Sequence, residues 1–233
     1  MRTLGIIGGM SWESTAVYYR LLNQGVAKRL GGLHSAPLLL HSVDFAPIAA
    51  LQSAGDWAAA ADLLSEAASG LQRAGAQALL LATNTMHKVA ERIEVASGLP
   101  LLHIADATGA ALQSAGVQHE ALLGTRFTMA DPGIVRARLE QRFGLQISVP
   151  EEADRTLLHA VIYDELCRGV INAVSRHALI ALIHRQRETG AQAVILGCTE
   201  IGLLIDAACS PLPVFDTTEL HAAAALNWML QTP

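Results

Sequence analysis

One stretch of this chain occurs twice. Gly75-Ala-Gln-Ala-Leu-Leu-Leu-Ala-Thr83 lines up with Gly190-Ala-Gln-Ala-Val-Ile-Leu-Gly-Cys198 at an offset of 115 residues, and the tetrapeptide Gly-Ala-Gln-Ala is identical in both. Close to the same offset, Ile7-Gly8-Gly9 aligns with Leu123-Gly124-Thr125, and Leu99-Pro100 with Leu212-Pro213. Matches in one order at nearly one spacing imply a single structural unit present in two copies. A chain of 233 residues then divides into halves of about 115. The expected halves are 1–115 and 116–233, with a boundary near 115–119, and the segment from about 213 onward could return to pack on the first half.

Within each copy, short apolar runs alternate with longer stretches of helical periodicity. The runs that read as buried strands are Thr3 to Gly8, Leu38 to Val43, Gln77 to Leu81, Pro100 to Ile104, Glu120 to Gly124, Gln146 to Val149, Ala193 to Gly197 and Pro213 to Asp216. Helices are expected over Trp12 to Arg29, Asp56 to Ala74, Ala107 to Ala115, Pro132 to Phe143, Arg155 to Gly169 and Ser175 to Thr189. Strand–helix alternation of this kind predicts an α/β protein: two pseudo-symmetric domains, each a mostly parallel four-stranded sheet flanked by helices. Ligands of open parallel sheets sit outside the carboxyl ends of the strands, and the repeat puts Thr83 and Cys198 at equivalent ends.

Composition narrows the function classes. Hydrophobic residues make up 52% and charged residues 16%, which suits helices packed on sheets and argues against disorder. With a net charge of -5 and no dense basic run, nucleic acid is not the expected partner; a small molecule is. No apolar stretch reaches the roughly 18 residues of a membrane span and no signal peptide is visible, so no membrane association and a cytoplasmic location are expected. The three cysteines, Cys167, Cys198 and Cys209, show no CxxC spacing, and none of the nine histidines forms HxH or HExxH, so neither disulfides nor a metal site are expected.

Cys198 follows a buried strand and precedes a turn rich in backbone N–H groups, Gly197-Cys198-Thr199-Glu200, where its pKa is expected to fall below the usual ~8.5. Cys167 and Cys209 read as structural. Thr83 stands at the matching place in the first copy; a hydroxyl is a far weaker base than a thiolate. Asn84, Thr85 and Thr199 can donate hydrogen bonds to a carboxylate, although polar residues at strand ends are also ordinary caps. The glycines of Gly8-Gly9-Met10-Ser11 suit a tight turn near a small ligand, with no GxGxxG or GxxxxGK[ST] to suggest a nucleotide. Two groups placed on opposite sides of one carbon would suit inversion of a stereocentre by proton transfer.

These segments resemble the aspartate/glutamate racemase superfamily, and within it the branch of bacterial L-aspartate/glutamate-specific amino-acid racemases of broad specificity. LGIIGGMSWEST, HSVDF, TNTMHK, LLHIADAT, LLGTRFTM, YDEL, GCTEIGLL and LPVFDTT carry the resemblance along the whole chain. It implies an interdomain active site, catalysis without pyridoxal phosphate, metal or other cofactor, and a two-base mechanism using Thr83 and Cys198. The commoner family pattern has cysteine at both positions; here one thiol is a hydroxyl. By the same resemblance Met10, Gln52, Asn84, Thr85, Thr125, Thr199 and Glu200 contact the amino-acid substrate, and the protein is a homodimer. A neutral Gln52, where some aspartate-specific relatives carry arginine, implies broader substrate choice. The competing readings are a hydantoin racemase, a maleate isomerase or arylmalonate decarboxylase of the same superfamily, and an amino-acid-binding module with weak or no catalysis.

Overall fold

A computed structural model describes residues 1–130 and 133–231. It divides into two compact units, one made of Met1–His103 with His221–Pro233 and the other of Ile104–Leu220. In the first unit the order is β1 (Leu4–Gly8), α1 (Trp12–Leu30), β2 (Leu38–Ser42), α2 (Phe45–Ala54), α3 (Trp57–Arg73), β3 (Ala78–Leu81), α4 (Ala90–Ser97) and β4 (Leu101–Leu102). The second holds α5 (Ile104–Ala115), β5 (His119–Gly124), α6 (Arg126–Ala130), α7 (Arg136–Phe143), β6 (Gln146–Ser148), α8 (Glu152–Ala160), α9 (Ala173–Glu188), β7 (Ala193–Gly197) and β8 (Val214–Asp216). The last helix, α10 (Thr217–Leu230), begins in the second unit and from His221 belongs to the first.

All strand pairings are parallel, and the two sheets have the same order, β2-β1-β3-β4 and β6-β5-β7-β8. The repeated Gly-Ala-Gln-Ala explains why. Gly75 and Gly190 both take φ of 99°, a backbone region that only glycine enters readily, and so turn the chain from helix into strand. The glutamine then ties the incoming strand to its neighbour. Gln77 Oε1 accepts from Thr3 N at 2.9 Å, and Gln192 Oε1 accepts from Gln118 N and His119 N at 3.1 and 3.2 Å.

Each sheet is covered on both faces, so its central strands are near-continuous apolar runs rather than alternating, with Glu120 on β5 a buried exception. In the first unit Leu79 and Leu81 face the core under α2 and α3, while Ala78 and Leu80 face Tyr18, Leu22 and Val26 of α1 and Ala225 and Met229 of α10. In the second, Val194 and Leu196 pack under α9, and Ile195 packs with Leu139 of α7 and Leu112 of α5. Helix starts are set by local chemistry. The side chains of Ser11, Asp56 and Asn172 accept from the first free N–H groups of α1, α3 and α9.

The chain departs from the sequence-based reading in several places. The units divide at Ile104 rather than near 115–119, because Ala105 and Leu112 of α5 pack into a core of the second unit. The expected strand Pro100 to Ile104 shortens to β4, since Ile104 starts α5. Helices α2, α4, α6 and α10 are additional; α2 and α10 are apolar around much of their circumference and give weak periodicity. The long helix expected from Arg155 is α8 followed by a single π turn, Val161–Glu165, and a 3-10 turn, Leu166–Arg168, stopped by Gly169 at φ 72°. Pro132, where one helix is expected to begin, lies outside the described residues. No helix among them is long and apolar enough to cross a membrane.

Candidate active site

In the first unit the strand-end residues converge around the turn after β3. Thr83, Asn84 and Thr85 are all buried, as are Met10 after β1 and Gln52 on α2. The turn after β1 is tight: Gly9 sits at φ 93°, and a Cβ there would lie 2.2 Å from the Val43 carbonyl oxygen. Thr15 of α1 holds it, with Oγ1 accepting from Gly9 N at 2.8 Å. The Gln52 amide donates to the Met86 sulfur at 3.0 Å, which brings Met86, a residue no sequence signal singled out, into the group.

Thr83 leads into a 3-10 turn, Thr85–Val89. The turn is closed by His87 N donating to Asn84 O at 3.0 Å, and the His87 ring nitrogen Nδ1 lies 2.7 Å from Thr83 O. A carbonyl only accepts, so Nδ1 carries the proton. Behind the turn, Tyr18 OH lies 2.9 Å from His221 Nδ1, and His221 Nε2 lies 2.7 Å from Leu102 O. The same logic makes Nε2–H the donor and Nδ1 the acceptor from Tyr18. Burial pushes the His221 pKa down to about 4, so the ring is neutral.

In the second unit β7 ends at Gly197 and delivers Cys198, Thr199 and Glu200, all buried. The Cys198 thiol donates to Glu200 Oε2 at 2.9 Å, and the Thr199 hydroxyl donates to the same oxygen at 2.8 Å. Thr125, after β5, receives Thr128 N on its hydroxyl at 3.2 Å and so starts α6.

This arrangement corrects the expected thiol acidity. Burial, and then the adjacent Glu200 carboxylate, push the Cys198 thiol well above its ordinary pKa. The turn's N–H groups do not compensate, and the resting group is a thiol. Tyr163, on the π turn, belongs to the same neighbourhood: burial and then the charges of Cys198, Cys167 and Glu200 push its phenol up. Cys167 packs beside the core that holds Cys198, and burial followed by Glu200 raises its thiol as well.

Arg126 lays its guanidinium 4.9 Å over the Phe127 ring, and its backbone N–H donates to His159 Nδ1 at 3.4 Å. Arg168 is solvated, 70% exposed, at 3.9 Å from Asp164.

The chain matches the Asp/Glu/Hydantoin racemase family over residues 7–225. It is 51% identical to a candidate Asp/Glu racemase from Yersinia pestis whose crystal structure superposes with a TM-score of 0.90, covering 99% of this chain and 100% of that one. An aspartate racemase homologue from Pyrococcus horikoshii OT3 is 30% identical with a TM-score of 0.84, covering 99% and 100%. Glutamate racemase from Francisella tularensis subsp. tularensis SCHU S4, solved in complex with D-glutamate, shares the fold at a TM-score of 0.67 and 13% identity, covering 100% and 84%.

Proposed function

The chain belongs to the Asp/Glu/hydantoin racemase family, and within it we propose that this protein interconverts L- and D-aspartate or glutamate without pyridoxal phosphate or a metal. The observation that carries this reading is the buried Cys198–Glu200–Thr199 group at the end of β7, at the repeat position equivalent to Thr83. In this reading Cys198 and Thr83 attend one α-carbon from opposite faces.

When Cys198 acts as base, its thiolate takes the α-proton and the C–H electron pair stays on carbon, delocalised into the substrate carboxylate. The Thr83 hydroxyl, or a water it holds, returns a proton on the other face. Asn84, Thr85, Thr125 and Thr199 supply neutral donors for the carboxylate as negative charge grows there. Glu200, 2.9 Å away, receives the thiol proton when the thiolate is needed; once the α-proton has restored the thiol, Glu200 releases its proton to solvent and solvent restores the Thr83 hydroxyl. Met10 and Gln52 border the side chain, and the neutral amide of Gln52 favours breadth over strict selection for an acidic side chain. A cytoplasmic, homodimeric enzyme completes the reading.

The test is α-proton exchange followed by NMR, with L- and D-aspartate and glutamate in heavy water and no added cofactor, alongside Cys198→Ala. Exchange with inversion that Cys198→Ala abolishes supports two-base racemisation. Exchange unaffected by that substitution, or none with any acidic amino acid, removes the reading.

A further inference from the structure

We infer that His87 is a positioning residue for Thr83: its imidazole holds the carbonyl of Thr83, and through it the strand-end turn from which the Thr83 hydroxyl is presented. This rests on the proposed use of Thr83 as the second proton-transfer group.

The need for His87 comes from the geometry of the turn. In an α-helix the carbonyl of residue 83 would accept from the N–H of residue 87. Here the segment is 3-10, so His87 N is drawn to Asn84 O at 3.0 Å, and the carbonyl of Thr83 has lost its helical donor. A buried carbonyl without a donor is costly. The His87 side chain replaces the lost bond from the same residue, with Nδ1 at 2.7 Å from Thr83 O. The backbone N–H of Thr83 turns back to Leu81 O at 2.9 Å. Both ends of the Thr83 backbone are therefore tied, and the hydroxyl projects from a fixed peptide.

Two neighbouring rings flank the imidazole itself. His87 is 4% exposed, its ring centroid is 4.5 Å from that of His103 at 61°, and 5.8 Å from that of His221. His221 is in turn held by Tyr18 and Leu102 O. The His87–Thr83 bond uses Nδ1–H, present in the neutral tautomer and in the imidazolium alike, so it persists across the working pH range.

Asparagine places an N–H donor close to the position of Nδ1, whereas glutamine and alanine do not. His87→Asn should retain the bond, and His87→Ala and His87→Gln should lose it. For the substrate enantiomer whose α-proton Cys198 removes, His87→Ala should lower inversion roughly tenfold, the order expected for one lost buried hydrogen bond. Wash-in of solvent deuterium without inversion, which needs only Cys198, should stay within about twofold. His87→Asn should recover inversion. Equal loss of exchange and inversion in His87→Ala, no loss of either, or no recovery in His87→Asn overturns the inference. Nitrogen-15 shifts of the His87 ring in the wild-type protein test the bond independently of substrate: an Nε2–H tautomer overturns it, while the Nδ1–H tautomer in a protein that racemises nothing would place the failure in the proposed reaction instead.

Discussion

The thiol of Cys198 points its proton at Glu200 Oε2 across 2.9 Å, and the oxygen it meets is already held by the Thr199 hydroxyl at 2.8 Å. A carboxylate in that place has two opposed effects on the sulfur. Its charge raises the thiol pKa, yet it is the nearest acceptor for the thiol proton.

Glu200→Gln separates the two effects. Without the negative charge, Cys198 should ionise at lower pH, visible in its ultraviolet thiolate absorbance and alkylation rate. Racemisation should nevertheless fall about 100-fold or more, because the acceptor can no longer hold a proton. A more active Glu200→Gln enzyme at neutral pH would mean that Glu200 only suppresses ionisation. In Glu200→Gln the residual kcat/KM should climb with pH, since burial still raises the thiol and its proton must now leave to solvent; in the wild type, where Glu200 takes that proton, the climb should be shallower.

The error in the thiol's acidity shows where sequence reading reaches its end. Gly197-Cys198-Thr199-Glu200 reveals an acid two residues on, but not that its side chain folds back onto the sulfur and that both groups are buried. The position of Cys198 itself was legible, because the apolar run Ala193 to Gly197 forms a strand with those same bounds. So was the duplication, down to the glutamine of Gly-Ala-Gln-Ala, whose role needed the coordinates. Helix α10 was not: Thr217–Leu230 is rich in alanine and apolar on more than one side, and what makes it a helix of the first unit is tertiary packing of Ala222, Ala225 and Met229. The His87 ring on Thr83 O is consistent with a four-residue spacing, but histidines near helix starts are common and the loss of the backbone donor is a property of the 3-10 turn.

Glu120 lies on β5, fully buried, and neither carboxyl oxygen has a hydrogen-bond partner among the described residues. Burial pushes its pKa up to about 7 from the model-peptide value of 4.5. Between those pH values the unfolded chain releases the proton and the folded protein keeps it. Stability should therefore fall as pH rises from 4.5 to 7, by roughly 3 kcal/mol. Glu120→Gln should flatten that slope in denaturant titrations run across the window; an unchanged slope would place the linkage elsewhere.

His221 gives the opposite sign. Its pKa is pushed down to about 4, so between 4 and 6.5 the unfolded chain binds a proton that the folded protein excludes. Stability from this group should rise with pH through that window, again by roughly 3 kcal/mol. Tyr18→Phe removes the donor to His221 Nδ1 without changing the packed ring, and should cost about 1 to 3 kcal/mol by leaving that nitrogen unsatisfied. A melting temperature equal to wild type would show that the bond is not formed in solution.

Gly202 has no room for a side chain. A Cβ there would sit 2.1 Å from Asp216 Oδ2, while Asp216 Oδ1 receives the N–H groups of Thr218 and Glu219 at 2.7 and 3.3 Å to start α10. Gly202→Ala should displace the carboxylate, lower stability by about 1 to 3 kcal/mol and disturb the adjoining Cys198–Glu200 turn. Asp216→Asn, which keeps the acceptor, should be milder; equal stability of wild type and Gly202→Ala would show that the carboxylate moves freely.

In the proposed reaction the unlike pair Thr83 and Cys198 constrains the kinetics in a specific way. L- and D-amino acids have equal free energy in water, so kcat/KM must be the same in both directions whatever the enzyme. Asymmetry between a thiolate and a hydroxyl can appear only in kcat, matched by an equal change in KM. Unequal kcat values are expected, because Thr83 reprotonates a carbanion more readily than it deprotonates an α-carbon. Thr83→Cys should bring the two values together by supplying a second thiol. Thr83→Ala should stop inversion while Cys198 still exchanges the α-proton of one enantiomer. Progress curves from each pure enantiomer measure all three proteins, and equal kcat values in the wild type would mean that the proton on the Thr83 side is carried by another group.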